Sequence, residues 1–468
     1  MIGGYGGPHC TGRAYAKTRR SLRAGARAVP LSLLCIVSLV VLQAVTVIAI
    51  ERVAMAHSHV APAEAHLGYY INPGSWGKAT VLVVVGANFL EALALYGLFR
   101  CLSMERTPTL VKAFTAAGVA GMMAVSLSAH VTGLDAILYI YFAKVPNLAA
   151  AYHVPPSFAP VADGFANLYQ VIRKLRFASP YGPLWELLDR GILSGTHNIG
   201  QALFTIKLAN AVALVASFAV LLSLRLPFRQ AALFFLNPAL YDNYIVQAHN
   251  DLFAILPILV ALLLVRRGAF AAAALVASLA GLVKISLVVI ALATIASVGD
   301  LRKRLTNAAL IIAVLVLGSV LIGGPTYLHA LVFVGKSQTH GSGSRMLNDV
   351  RLTLQLLMIF AGCLAVVDVI VWKRLMRSAV WTLPAFSGLL HAWYFPWTVP
   401  LAIRFGATAA VLAISLPLFE IATNLRLTDL VRVDPLIVSM LIVTAVAVRD
   451  VIVTKGRGEL TPSVTSKD

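Results

Sequence analysis

A strongly apolar sequence carries polar side chains at places where hydrocarbon should reject them: Asp135, the run His249-Asn250-Asp251, and Lys284. Asp135 ends one apolar run and opens the longest interval between such runs, residues 132–199. Acids at membrane depth are costly and tend to be functional. Beside a hydroxyl nucleophile, a carboxylate here would act as a general base, taking the proton while a glycosidic bond forms with inversion. His249, Asn250 and Asp251 together offer donors and an acceptor suited to a sugar or a phosphate. Lys284 sits inside an apolar run, where an ammonium costs about 2.5–3.5 kcal/mol to insert. A phosphate partner would explain it, because a fixed cation stabilises negative charge gathering on a leaving phosphate.

Each of these has a plainer alternative. Asp135 is also what a water-exposed helix end or cap would look like, and Asn250 or Asp251 would cap the helix that follows. Capping and ligand binding are compatible. Snorkelling to the surface is the alternative for Lys284, and it is hard for so central a residue. The Trp393-Tyr394-Phe395-Pro396-Trp397 cluster fits an interfacial aromatic belt. With Tyr139 and Tyr181, Trp393 and Tyr394 would otherwise form a platform for a sugar ring or a prenyl chain. Tyr181-Gly182-Pro183 is in either case a turn, enforced by Gly and Pro. What singles these residues out is that one topology brings Asp135, the His-Asn-Asp triplet, Lys284 and Trp393-Tyr394 to the same face.

That topology follows from composition. Of 468 residues, 59% are hydrophobic and only 12% charged, far from the soluble globular range. Lipid admits no open sheet edge, so the expected fold is all-α, a polytopic transmembrane helix bundle of about 12–13 spans. The formal charge of +19 comes from short basic tracts flanking apolar runs, a pattern of orientation and lipid contact rather than of nucleic-acid binding.

Residues 1–27 form a cytoplasmic basic segment, with Arg13, Lys17, Arg19, Arg20, Arg23 and Arg27 before the run Ala28 to Ile50. That run is too long for a cleaved signal peptide. Residues 28–131 then hold three spans, 132–199 an extracytoplasmic catalytic loop, 200–452 the transmembrane core and 453–468 a polar tail. His57, His59, Glu64 and His66 in the first outer loop lack a regular ligand spacing, and Cys10, Cys35, Cys101 and Cys363 form no metal or disulfide framework. No metal and no cofactor are expected.

Basic tracts bracket residues 269–298 on both sides, Arg266-Arg267 before and Arg302-Lys303-Arg304 after. A run of that length does not cross twice as full helices, so a broken or re-entrant hairpin with Lys284 near its tip is expected. At the end of the chain, a span from about Pro400 would run inward, and the last run would leave Lys455 and Arg457 outside, against the positive-inside rule. The rival class is a polytopic transporter or flippase of a lipid-linked sugar. It explains buried charges, though not their gathering beside a long outer loop, and no internal repeat is visible.

At these residues the sequence resembles the GT-C glycosyltransferases, specifically the polyprenol-phosphate-mannose-dependent α-mannosyltransferases of bacterial envelopes that extend lipomannan. The matching pieces are Asp135 with Tyr139, Ser179-Pro180-Tyr181-Gly182-Pro183-Leu184, Leu236-Asn237-Pro238 followed by His249-Asn250-Asp251, Lys284, and Trp393-Tyr394 with Trp397 and Pro400. Lys284 is followed by Ile285 where proline is common in that family. The resemblance implies metal-independent transfer from a polyprenyl-phosphate sugar donor to a glycan or glycolipid acceptor. It implies an active site on the extracytoplasmic side of the bacterial cytoplasmic (inner) membrane. Asp135 would be the base, with the triplet and Lys284 near the donor phosphate.

Overall fold

The computed structural model describes residues 11–57, 77–102, 107–153, 163–165, 168, 178–295, 299–338, 345–372, 376–387, 391–427 and 435–455. His59, Glu64, His66, Cys10 and Arg457 lie outside these residues. The described residues are predominantly helical, with no strand among them, as the exclusion of sheet edges from lipid requires. The chain is an all-α polytopic membrane protein.

The principal helices are α1 (Thr11–His57), α2 (Lys78–Cys101), α3 (Thr109–Ser128), α4 (Leu134–Lys144), α5 (Pro183–Leu193), α6 (Ile199–Ser223), α7 (Phe228–Phe235), α8 (Leu252–Arg266), α9 (Phe270–Val283), α10 (Val288–Ile295), α11 (Leu301–Gly318), α12 (Gly324–Gln338), α13 (Arg345–Trp372), α14 (Gly406–Leu427) and α15 (Pro435–Lys455). Among the described residues, six helices are long and apolar enough to cross a membrane. That is fewer than the about 12–13 runs counted from hydropathy. Leu252–Arg266, Phe270–Val283 and Ile285–Ile295 are apolar but shorter, because the chain is broken where it lines the site.

Two of these breaks matter most. After α7, Pro238 starts a new turn; its ring and missing N–H end a helix. The Asn237 amide crosses to the Ala413 carbonyl at 2.6 Å, tying the break to α14. The chain continues through a π-type turn, Asp242–Val246, and Ala248 then adopts φ +58°. A non-glycine residue held there is strained, and such strain clusters at functional sites. The second break is at Lys284, extended at φ −150°, ψ 112° between α9 and the short turn Ile285–Leu287. This is the broken hairpin expected from the bracketing basic tracts. Gly281 and Leu282, just before the break, pack against Leu315 and Gly318 at the far end of α11 from Arg302-Lys303-Arg304.

The bundle therefore has two distinct ends. At one, Arg229 on α7 donates to the Phe99 carbonyl at 2.7 Å, beside Arg100. At the other, Glu51 on α1 grips His130, accepting from its backbone amide at 2.7 Å and meeting its Nδ1 at 2.6 Å. Lys207 on α6 donates to Leu127 and Ala129, satisfying the last carbonyls of α3 as a cation at a helix C-terminus does. These contacts fix the chain that delivers Asp135.

The last two helices correct the expected sidedness. Gly406, at the start of α14, lies against Gln230 at the Arg229 end, whereas Thr423, near its other end, accepts from the Ala392 amide at 3.0 Å. α14 thus runs away from the basic end, opposite to expectation, because residues 391–405 return through the bundle as short turns instead of staying in an outer loop. α15 comes back: Thr408 donates to Asp450 at 2.9 Å, and the Arg449 guanidinium lies 5.9 Å from the Tyr96 ring centroid. Lys455 thereby joins the basic end, and the conflict with the positive-inside rule disappears.

Candidate active site

Asp135 lies in the first turn of α4, where a carboxylate is favoured by the helix dipole. Gly133 precedes it because nothing larger fits: a Cβ there would collide with the Gln247 carbonyl. The neighbouring Thr132 amide donates to Val246 at 3.2 Å. Asp135 is thus laid directly against the segment that carries the His-Asn-Asp triplet.

The triplet engages three different elements. His249 Nδ1 meets Asp135 Oδ2 at 3.2 Å, and its Nε2 meets Gln247 Oε1 at 3.2 Å. The imidazole stacks on Trp393, with centroids 4.1 Å apart, and the His391 ring stacks on the same indole at 4.2 Å. The Asn250 backbone N–H donates to the Tyr139 hydroxyl at 3.2 Å, while the fully buried Asn250 side chain has no hydrogen-bond partner among the described residues. Asp251 Oδ1 accepts from both Lys284 Nζ, at 2.8 Å, and Trp397 Nε1, at 2.7 Å. The Lys284 ammonium also lies 5.0 Å from the Tyr394 ring centroid and 5.3 Å from that of Trp397, within cation–π range.

A third component is the turn Ser179–Pro183. The Gly182 amide donates to Val283 at 2.9 Å, and a Cβ at Gly182 would strike the Leu282 carbonyl, so the turn lies against the residues just before Lys284. Tyr181 packs edge-on against Tyr139 at 4.8 Å, and Tyr139 against Trp185 at 5.0 Å. All nine residues singled out from the sequence therefore meet at the end of the bundle opposite the basic tracts. The aromatic platform is narrower than expected. Tyr139, Tyr181 and Trp393 are buried, Trp393 with two imidazoles stacked on it, and Tyr394 is the partly exposed ring of the four.

Electrostatics follow from this packing. Burial pushes the Asp135 carboxyl up, but the hydrogen bond and charge of His249, the Lys284 ammonium and the Tyr181 hydroxyl outweigh it and hold the group below its ordinary value. The side chain keeps 30% exposure, so water moderates the burial penalty and reinforces that direction. Asp135 is then an ionised acceptor with one edge open. The Lys284 charge, by contrast, is already matched by Asp251, which is completely buried. Gln247, Trp397 and His391 were not singled out as site residues. Trp397 follows Trp393 by four positions, but nothing local announces its bond to Asp251. Among the described residues, no group of His, Cys, Asp and Glu is arranged to hold a metal ion.

An all-helical membrane protein with an ionised acid, a hydrogen-bonding triplet and a buried lysine at one end of its bundle fits the glycosyltransferase class that the motifs resemble. Residues 175–299 match the MptA_B family, described as alpha-(1->6)-mannopyranosyltransferase, N-terminal domain. The match takes in the Ser179–Pro183 turn, Asn237-Pro238, the triplet and Lys284, while Asp135 and Trp393–Trp397 fall outside it. It supports a membrane mannosyltransferase of the GT-C, lipomannan type. No curated protein and no solved structure matches.

Proposed function

We propose that this mannosyltransferase takes mannose from a polyprenyl-phosphate donor. It passes the sugar to a glycan or glycolipid acceptor on the extracytoplasmic side of the bacterial cytoplasmic membrane. The observation that carries the proposal is the convergence of Asp135 with the Asp251–Lys284 pair through one loop, since His249 and Asp251 are two residues apart. Basic tracts at the opposite end of the bundle support the orientation.

The reaction is a single displacement. The acceptor oxygen attacks the anomeric carbon while its proton passes to Asp135. The bond from that carbon to the phosphate oxygen breaks, and its electron pair leaves with the phosphate. Lys284 has three N–H donors. One is directed at Asp251, so others remain for the phosphate. A monophosphate leaving group carries less charge than a diphosphate, so protein donors at this site suffice in place of a metal ion.

Membranes containing the protein test the donor. Labelled polyprenyl-phosphate mannose should give labelled acceptor directly, whereas a nucleotide-diphosphate mannose should not when synthesis of the lipid donor is blocked. Transfer from the nucleotide sugar under that block would overturn the proposal.

A further inference from the structure

We propose that Glu186 is a positioning residue for Asp135, acting through Ser179 and the Tyr181 backbone. The inference rests on the assignment of Asp135 as the base.

The turn Ser179–Pro183 is held at every free backbone group that matters to Tyr181. The Ser179 amide donates to Ala151 at 2.9 Å. Ser179 Oγ hydrogen-bonds Glu186 Oε1 and accepts from the Tyr181 amide at 3.2 Å. Tyr152 donates its hydroxyl to the Tyr181 carbonyl at 3.2 Å. Glu186 is completely buried, Ser179 nearly so, and among the described residues the second carboxylate oxygen of Glu186 has no hydrogen-bond partner. An acid without full compensation is an expensive occupant of a core position where leucine would pack without penalty. What leucine would lack is an acceptor for the Ser179 proton. With that proton directed at Glu186, the Ser179 lone pairs face the Tyr181 amide and fix where the ring points.

The ring matters because its edge rests on Tyr139, one turn after Asp135 on α4, and its hydroxyl is among the groups that hold the Asp135 carboxyl down. Gly182, the next residue, pins the same turn to Val283 beside Lys284. The chain of contacts from Glu186 therefore sets both the partner of the base and the base's spacing from the lysine.

Among the described residues, Asp135 is faced by His249, Lys284 and Tyr181, with Tyr139, Asp251 and Tyr394 around them. Glu186 is faced by Ser179, Arg190, Asp189 and Tyr152. Burial pushes the Glu186 carboxyl up to about 7, against the Ser179 bond and the Arg190 charge. Both its ionised and neutral forms present an oxygen to Ser179, so the acceptor rather than the charge does the positioning.

The test compares Glu186→Leu, Glu186→Gln, Ser179→Ala and Tyr181→Phe at equal amounts of monodisperse protein, with Asp135→Asn alongside. Glu186→Leu and Ser179→Ala should each lower kcat about tenfold or more and leave donor KM within about twofold. Both should move the acid limb of the pH–rate profile upward, as Tyr181→Phe should, because the hydroxyl that helps keep Asp135 ionised is misplaced or removed. Glu186→Gln should behave as wild type, and the Glu186→Leu/Ser179→Ala double variant should be no worse than either single one. Normal activity in Ser179→Ala, a Glu186→Gln as impaired as Glu186→Leu, or lost rate with an unmoved acid limb would each overturn the positioning role. Full activity in Asp135→Asn would instead remove the base on which it rests.

Discussion

Lys284 and Asp251 form a 2.8 Å ion pair in which the lysine is 13% exposed and the aspartate not at all. Breaking such a pair from one side leaves an uncompensated buried charge and costs about 3–5 kcal/mol, whereas replacing both partners by apolar residues is often neutral. Asp251→Leu should therefore lower the melting temperature of the purified protein sharply, and Lys284→Met in the same chain should restore it. Transfer should stay absent in the double variant. Recovery of activity along with stability would show that the pair is structural only.

Gly133 and Gly182 join the components of the site by letting backbones touch. A methyl group at either position meets a carbonyl oxygen, on Gln247 or on Leu282, and must push two segments apart. Gly133→Ala and Gly182→Ala should each reduce kcat by about a hundredfold, the scale of a displacement near 1 Å at a reacting centre. Gly77→Ala and Gly191→Ala, with nothing within 4 Å of the added carbon, should change the rate little. Similar rates in all four variants would contradict the close approach.

How much of this was legible in the sequence depends on the kind of signal. Asp135 and Lys284 stood out because a charge in an apolar run has few explanations, and the Lys284 break followed from basic tracts on both flanks. The fold class followed from composition alone. The direction of α14 did not, since hydropathy counts runs and cannot see residues 391–405 returning through the bundle. Tyr139 read as a platform because an aromatic near a membrane surface suits that role, yet its hydroxyl holds the Asn250 amide, a contact 111 residues apart in the chain. Glu186 was invisible for the same reason: its meaning comes from Ser179, and Ser179 reads as part of a turn.

Two acids in this region should respond to pH in opposite senses. Asp135 is depressed below its ordinary 3.8, so its contribution to stability is present above the unfolded value and is lost as pH falls through the lower folded one. Transfer should hold on the acid side until that range, and His249→Gln should raise the acid limb. Glu186 is raised from 4.5 to about 7, so the folded chain binds its proton more tightly. The stability it contributes is full below about 4.5 and is lost as pH rises toward 7, an effect on the order of 3 kcal/mol. Thermal melts of Glu186→Gln should show a flatter dependence between pH 5 and 8, to be read as roughly the wild-type slope minus one proton. A slope identical to wild type would contradict the raised value.

The two ends of the bundle give a topological prediction. Lys455 lies at the same end as Arg100 and Arg229, so a reporter fused after the last residue should report the cytoplasm, as should one at the N-terminus. The variant Ser194→Cys, at an exposed position shortly before α6, should react with a membrane-impermeant maleimide only from the opposite side. Extracytoplasmic signal from the C-terminal reporter would reverse α15.

The most direct test of the central claim is the transfer of label from polyprenyl-phosphate mannose by membranes carrying wild type or Asp135→Asn at matched protein levels. Asn keeps the shape and the contact to His249 but is a far weaker proton acceptor, so transfer should fall by at least about a hundredfold. Equal transfer by the two proteins would mean that Asp135 is not the base.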